Sequence, residues 1–143
     1  MSSLEKAIAL AASAHAGAVD KGGAPYILHP LRVMLAVEGE HAKMAAVLHD
    51  VIEDTDVTAE DLASAGFPAP VIAAVVALTK LPGMSRLDAA KLAATDPIAR
   101  AVKLADLADN MRLERIASPS PRDIKRVAEY RALHEYLSHH IGY

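Results

Sequence analysis

The chain has 143 residues, 52% hydrophobic but only 3% aromatic, with no cysteine and a formal net charge of -3. That length suits one domain around a single core. The lack of cysteine excludes disulfides and thiolate metal sites, so any metal must be held by His, Asp or Glu, and the acidic balance argues against a nucleic-acid partner, which usually meets a basic stripe. A local cluster of Lys and Arg can still hold a small anion. The apolar bulk is Ala, Leu and Val, and β-branched or aromatic runs of strand length are scarce, which favours an all-α fold. "MSSLEKAIALAASAHAG" carries a glutamate and a lysine where a signal peptide needs an apolar core, and no apolar run approaches a membrane span. A soluble, cytoplasmic protein with no membrane partner is expected.

Ser2 with Glu5 has the spacing of a capping box and predicts a first helix to about His15. "GAVDKGGAPYI" follows as a Gly-rich loop containing Pro25. In "LHPLRVMLAVEG", His29 takes an N-cap-like position and Pro30 the first helical position, where its missing N–H costs nothing. A third helix is expected from about Glu40 to Ile52, and Thr58 with Asp61 offers a second capping box for a short helix ending at Gly66. "PAPVIAAVVALTK" is apolar nearly all round and reads as a central buried helix; its valines suggest a strand, but its length and alanines argue otherwise. After the loop "LPGMS", a short helix runs from Ser85 to about Ala94. Asp96 and Pro97 start a long one through "IARAVKLADLADNMRLERI", which "ASPSP" breaks, and Ser120 with Pro121 opens the last, to about His139. Seven or eight helices with short connections make one compact helical domain over residues 1–143.

"AAVLHDVIEDT" puts His49–Asp50 inside an apolar stretch and Glu53–Asp54 one helical turn later. A lone buried histidine is more often a hydrogen-bonded core residue than a ligand. Company changes that reading: His29 begins one helix, His49 and Asp50 end another, and Asp106 lies within the apolar "AVKLADLA". Two neutral imidazoles and two carboxylates balance a divalent cation and leave no buried net charge. Mixed N and O ligands without sulfur suit Mn, Fe or Zn at a site with positions open for water and substrate.

A His, a later His–Asp doublet and a distant Asp resemble the HD phosphohydrolase superfamily. More closely, "AHAG", "KGGAPYILHPLRV", "AAVLHDVIEDT", "LTKL" and "VKLADLADNMR" resemble, in order, the hydrolase domain of the RelA/SpoT alarmone enzymes and their stand-alone small relatives, over residues 7 to about 113. No synthetase domain follows, so the resemblance implies a single-domain alarmone hydrolase. It implies His29, His49, Asp50 and Asp106 as metal ligands, usually for Mn²⁺, and Glu53 and Asp54 as the catalytic acidic pair. Asn110 matches an asparagine that helps hold the nucleotide, and Lys21 and Tyr26 lie in the loop that contacts it. Spacing agrees: Glu53 is four residues after His49, and Asn110 four after Asp106, so each shares a helix face with a ligand. From there Glu53 can take a proton from, or orient, the attacking water, with Asp54 holding the pair in place. Lys103 and Arg112, flanking Asp106 and Asn110, are candidate phosphate clamps together with Lys80, although each alone is more often a solvated side chain. His15 is read as packing the loop.

The implied reaction removes pyrophosphate from the 3′ position of a guanosine tetra- or pentaphosphate. The chain departs from the family at Asp20, Gly22 and Ala24, where Arg, Ser and Glu are usual, and at Leu107 and Asp109, where Arg and His are usual. These positions are expected to touch base and phosphates rather than metal, which keeps an adenine-type alarmone such as (p)ppApp open as the nucleotide. Two other readings stay open: a phosphatase of the same superfamily acting on another nucleotide, such as a 5′-nucleotidase or NADPH phosphatase, and a non-catalytic nucleotide-binding domain.

Overall fold

The computed structural model describes residues 3–112 and 119–139. Among them the chain forms nine helical segments and no strand, the only bridge pairing Val19 with Pro25 across the loop after the first helix. No described helix is long and apolar enough to cross a membrane.

Helix α1 (Leu4–Ala14) is capped by Ser3, whose hydroxyl accepts from the Lys6 amide at 3.1 Å; the predicted cap, Ser2, lies outside the described residues. Helix α2 (Leu28–Leu35) starts one residue before His29 and puts Pro30 in its third position. The first four amides of a helix have no partner within it, so proline is tolerated there as well. Helix α3 (Glu40–Leu48) is shorter than expected: the predicted helix to Ile52 breaks at His49–Asp50, and a single turn, α4 (Val51–Asp54), resumes beyond it.

Met44, Ala45, Ala46, Val47 and Leu48 are each at most 2% exposed, and α3 packs against α1, α2, α6 (Ala69–Leu78) and α8 (Pro97–Asn110). It, rather than α6, is the central helix; α6 buries Val71, Ala74, Val75 and Leu78 but leaves Val76 48% exposed. Consecutive alanines in α3 leave little side chain between the axes, so neighbours approach from several sides.

The capping box Thr58–Asp61 forms both of its bonds and opens α5 (Ala59–Ser64), which Gly66 ends with a φ of 86° that a side chain would strain. Ser85 caps α7 (Arg86–Ala94), and Asp96 caps α8 by accepting from the Ile98 and Ala99 amides. Helix α8 stops at Asn110, and the expected continuation to Ile116 falls mostly outside the described residues. Ser120 and Asp123 exchange the bonds of a capping box ahead of α9 (Pro121–His139). That helix lies against α7 and α8 through a second small core of Ala90, Leu107, Leu133 and Leu137.

Candidate active site

Three helices converge on Asp106. From α2, His29 Nε2 lies 2.8 Å from Asp106 Oδ1; from the end of α3, His49 Nε2 lies 3.2 Å from the same oxygen. The Asn110 amide donates to Oδ1 and the Lys103 ammonium to Oδ2, each at 3.2 Å. His29, His49 and Asp106 are 4%, 3% and 6% exposed, and each offers one ligand atom within 4.8 Å of the others. The break between α3 and α4 turns Asp50 toward the cluster, its Oδ2 being 3.0 Å from His49 Nε2. Tyr26 donates its hydroxyl to the same Asp50 oxygen. Burial first, then the Asp50 charge, raises the Tyr26 pKa, so the phenol keeps that proton.

The donor set fits a divalent cation. A carbonyl only accepts, so His49 Nδ1, 2.6 Å from the Ala46 carbonyl, carries a proton and leaves the lone pair of the neutral ring on Nε2. His29 Nδ1 faces Asp109 Oδ2 at 2.6 Å with the same consequence. Both Nε2 lone pairs then aim at carboxylate oxygens, a repulsive arrangement that a cation between them reverses. A proton does this too: burial alone lowers the pKa of both rings, but Asp50 and Asp106 for His49, and Asp106 and Asp109 for His29, outweigh it and raise both. A divalent ion does the same with better charge balance against Asp50 and Asp106.

Glu53 and Asp54 line a chamber of about 380 Å³ with the three converging residues, and Lys80, Arg86 and Lys103 border it too. The two acids differ. Both are exposed, but Glu53 Oε1 is fixed by the Lys80 main-chain amide at 2.7 Å. Asp54 is pushed up to about 6 by partial desolvation, then by the Asp50 and Glu53 charges. Arg86, at the start of α7, was not anticipated; it sits 5.3 Å over the Tyr130 ring and bonds Glu129 at 3.0 Å. No spacing to a ligand marks it, since α7 reaches the chamber only through tertiary packing.

Residues 7–131 match the HD domain family. The chain belongs to the HD domain family. It is 34% identical to a GTP pyrophosphokinase of Streptomyces coelicolor and 36% identical to a guanosine-3′,5′-bis(diphosphate) 3′-pyrophosphohydrolase of Haemophilus influenzae, over 97% and 93% of its length. It spans only 18% and 22% of those relatives, about a fifth. Among solved structures it superposes on a metazoan ortholog of SpoT described as hydrolysing ppGpp, with a TM-score of 0.78 and 26% identity, covering 97% of this chain and 85% of that one.

A second cavity of about 290 Å³ adjoins the chamber of this HD domain, with Tyr26, His29, Asn110 and Tyr130 lining both. Lys21 and Arg112 border it, Lys21 being 53% exposed and 3.3 Å from Asp123 of α9, and Arg112 3.7 Å from Asp109. Asp20 also borders it, but its carboxylate accepts from the Gly22 and Ala24 amides at 2.8 and 3.0 Å and so closes its own loop. The expectation that the departing positions touch base and phosphates fails at Asp109, which is 7% exposed and lies behind His29. Leu107, 1% exposed, is a core residue that also borders the chamber. His15 is 5% exposed with its ring centre 5.0 Å from that of Tyr26, and it is not among the three converging residues.

Proposed function

We propose that the chain is a divalent-metal-dependent hydrolase, with Mn²⁺ as the metal, that removes the 3′-pyrophosphate from guanosine 3′,5′-bis(diphosphate) or a related alarmone such as (p)ppApp. The products are a nucleoside di- or triphosphate and pyrophosphate. Residues 1–143 act as one catalytic domain, in the cytoplasm. The observation that carries the reading is the convergence of His29, His49 and Asp106 in a polar chamber that opens onto a second, more apolar cavity. The names of the longer relatives point to both alarmone synthesis and breakdown. The solved SpoT ortholog, covered over 85% of its length and described as hydrolysing ppGpp, supports breakdown.

His29, His49, Asp50 and Asp106 would hold the ion. When bound, it supplies positive charge for the phosphoryl oxygens and makes water a better nucleophile. Asp54, with its raised pKa, accepts the proton that the attacking water gives up, and Glu53, held by the Lys80 amide, orients that water. Water bonds to the phosphorus carried on the ribose 3′ oxygen and the P–O3′ bond breaks. Lys80, Arg86 and Lys103 stabilise charge that builds on the pyrophosphoryl oxygens, and the 3′ oxygen leaves as a hydroxyl with the proton that Asp54 took up. Burial works against the Lys103 charge, but Asp106 raises its pKa and keeps it protonated. Tyr26 and Asn110, which belong to both cavities, hold the nucleoside between them, and Lys21 and Arg112 meet its remaining phosphates at the rim.

A phosphatase acting on another nucleotide is the second reading, favoured by Asp20, an acid on the wall of the outer cavity. Purified protein incubated with Mn²⁺ and a panel of nucleotides, with chromatography of the products, tests both. Pyrophosphate and a nucleoside di- or triphosphate support the proposal; orthophosphate alone overturns it in favour of the second reading.

A further inference from the structure

Asp109 is buried, charged and outside the proposed ligand set. On α2, His29 and Arg32 are three residues apart; on α8, Asp106 and Asp109 are too, and the pairs face each other. His29 is held at both ring nitrogens, with Nε2 2.8 Å from Asp106 Oδ1 and Nδ1 2.6 Å from Asp109 Oδ2. Arg32 grips the far side of Asp109 with both prongs, Nε to Oδ1 at 2.7 Å and Nη2 to Oδ2 at 3.0 Å. We infer that Asp109, clamped by Arg32, is a positioning residue that fixes the orientation and tautomer of His29 for metal binding. The inference rests on the metal-centre part of the reading above and not on the substrate.

The physical steps are short. A two-pronged guanidinium contact keeps the Asp109 carboxylate ionised and immobile. An ionised carboxylate only accepts, so the His29 proton sits on Nδ1 and Nε2 is left for the ion. Turning the ring over would set carbon atoms against both carboxylates and forfeit the buried hydrogen bond from Nδ1 to Asp109. A negatively charged partner on Nδ1 also makes Nε2 a stronger donor. The second imidazole lacks this device: His49 Nδ1 meets the neutral carbonyl of Ala46, three residues back on its own helix. One ligand is therefore set by local backbone, and the other by an anion 80 residues away.

Calorimetric titration of the metal-free full chain with Mn²⁺ alone reads the effect. Asp109→Asn, near in shape but uncharged, should weaken Mn²⁺ binding about 10- to 100-fold, the usual loss for an outer partner of a metal-bound histidine. Asp109→Glu should recover part of it. Nuclear magnetic resonance of Zn²⁺-loaded, ¹⁵N-histidine-labelled wild-type protein supplies a readout that does not depend on any variant folding: His29 should carry its proton on Nδ1. Wild-type Mn²⁺ affinity in a folded Asp109→Asn protein overturns the inference, and so does a His29 proton on Nε2 in the Zn²⁺-loaded wild type. Wild-type protein that takes up no Mn²⁺ sinks the metal centre itself, a different result from a tight wild type beside an equally tight variant.

Discussion

The inner chamber and the outer cavity share four side chains yet are built on opposite plans. The chamber is walled by charge held in place. His29, His49 and Asp106 are almost fully buried, and each makes two or more hydrogen bonds to residues on helices. The outer cavity is walled by the loop after α1, the end of α8 and one face of α9, and Val19 and Lys21 on its rim are 65% and 53% exposed. The Lys21–Asp123 ion pair, exposed on the lysine side, ties the loop to α9. Chemistry needs groups fixed to fractions of an ångström, whereas recognition of a flexible nucleotide tolerates adjustment. Damage to the chamber should therefore appear in kcat and metal content, and damage to the outer cavity in KM.

Asp106→Ala carries the largest expected effect. It removes the oxygen shared by both imidazoles and strands the Lys103 charge, so metal and nearly all activity should be lost. Asp50→Ala should behave similarly. Elemental analysis and product chromatography check both variants, and full turnover with metal retained would refute the ligand assignment. Next in size are the acids. Asp54→Asn should keep the metal and slow kcat about 10²- to 10⁴-fold, as for a lost general base. Glu53→Gln, which keeps an oxygen for the Lys80 amide, should cost less. The reverse ranking would return the proton to Glu53.

A stability measurement sharpens the same contrast. Without metal, both ligand histidines have pKa values above the usual 6.5. A raised histidine pKa stabilises the fold fully below 6.5, and that contribution is lost as pH rises through the shifted value. Metal needs the unprotonated Nε2, so its stabilisation grows over the same range. The difference in Tm between Mn²⁺-loaded and metal-free protein should widen as pH climbs from about 6.5, with the outer cavity contributing nothing to it. A difference that stays flat would show that proton and metal do not compete for those nitrogens.

What was legible in the sequence divides along the same line. Capping residues such as Thr58, Ser85 and Asp96 act within a turn of themselves, so their helices could be placed from local chemistry. The converging ligands stood out because each is a polar group in an apolar run. The break at His49–Asp50 left no such mark, since nothing in "AAVLHDVIED" disfavours a continuous helix; tertiary packing turns Asp50 toward the cluster. Asp109 was misplaced because a carboxylate's partner is invisible until the chain folds: Arg32 and His29 lie on another helix. Asp20 does border the outer cavity, but the amides that hold it belong to a turn only its own loop creates. Arg86 and Tyr130 reach the site through the packing of α7 against α9, which no spacing in the sequence encodes.

The smallest effect belongs to Lys21→Ala. Its ion pair with Asp123 is exposed on the lysine side, where such pairs contribute about 0 to 1 kcal/mol, so thermal stability should hardly change. Asp123 keeps its second task, accepting from the Ser120 amide and hydroxyl at 2.9 Å, so α9 should stay capped. For Lys21 to meet a substrate phosphate it must leave Asp123, which offsets part of the attraction it supplies. The net result should be a KM raised only a few-fold, a smaller rise at high salt, and an unchanged kcat, as for an exposed charge that aids binding but not the reacting bond. A fall in kcat equal to that in kcat/KM would instead show that the loop helps organise the chamber, and the two cavities would then have to be treated as one site.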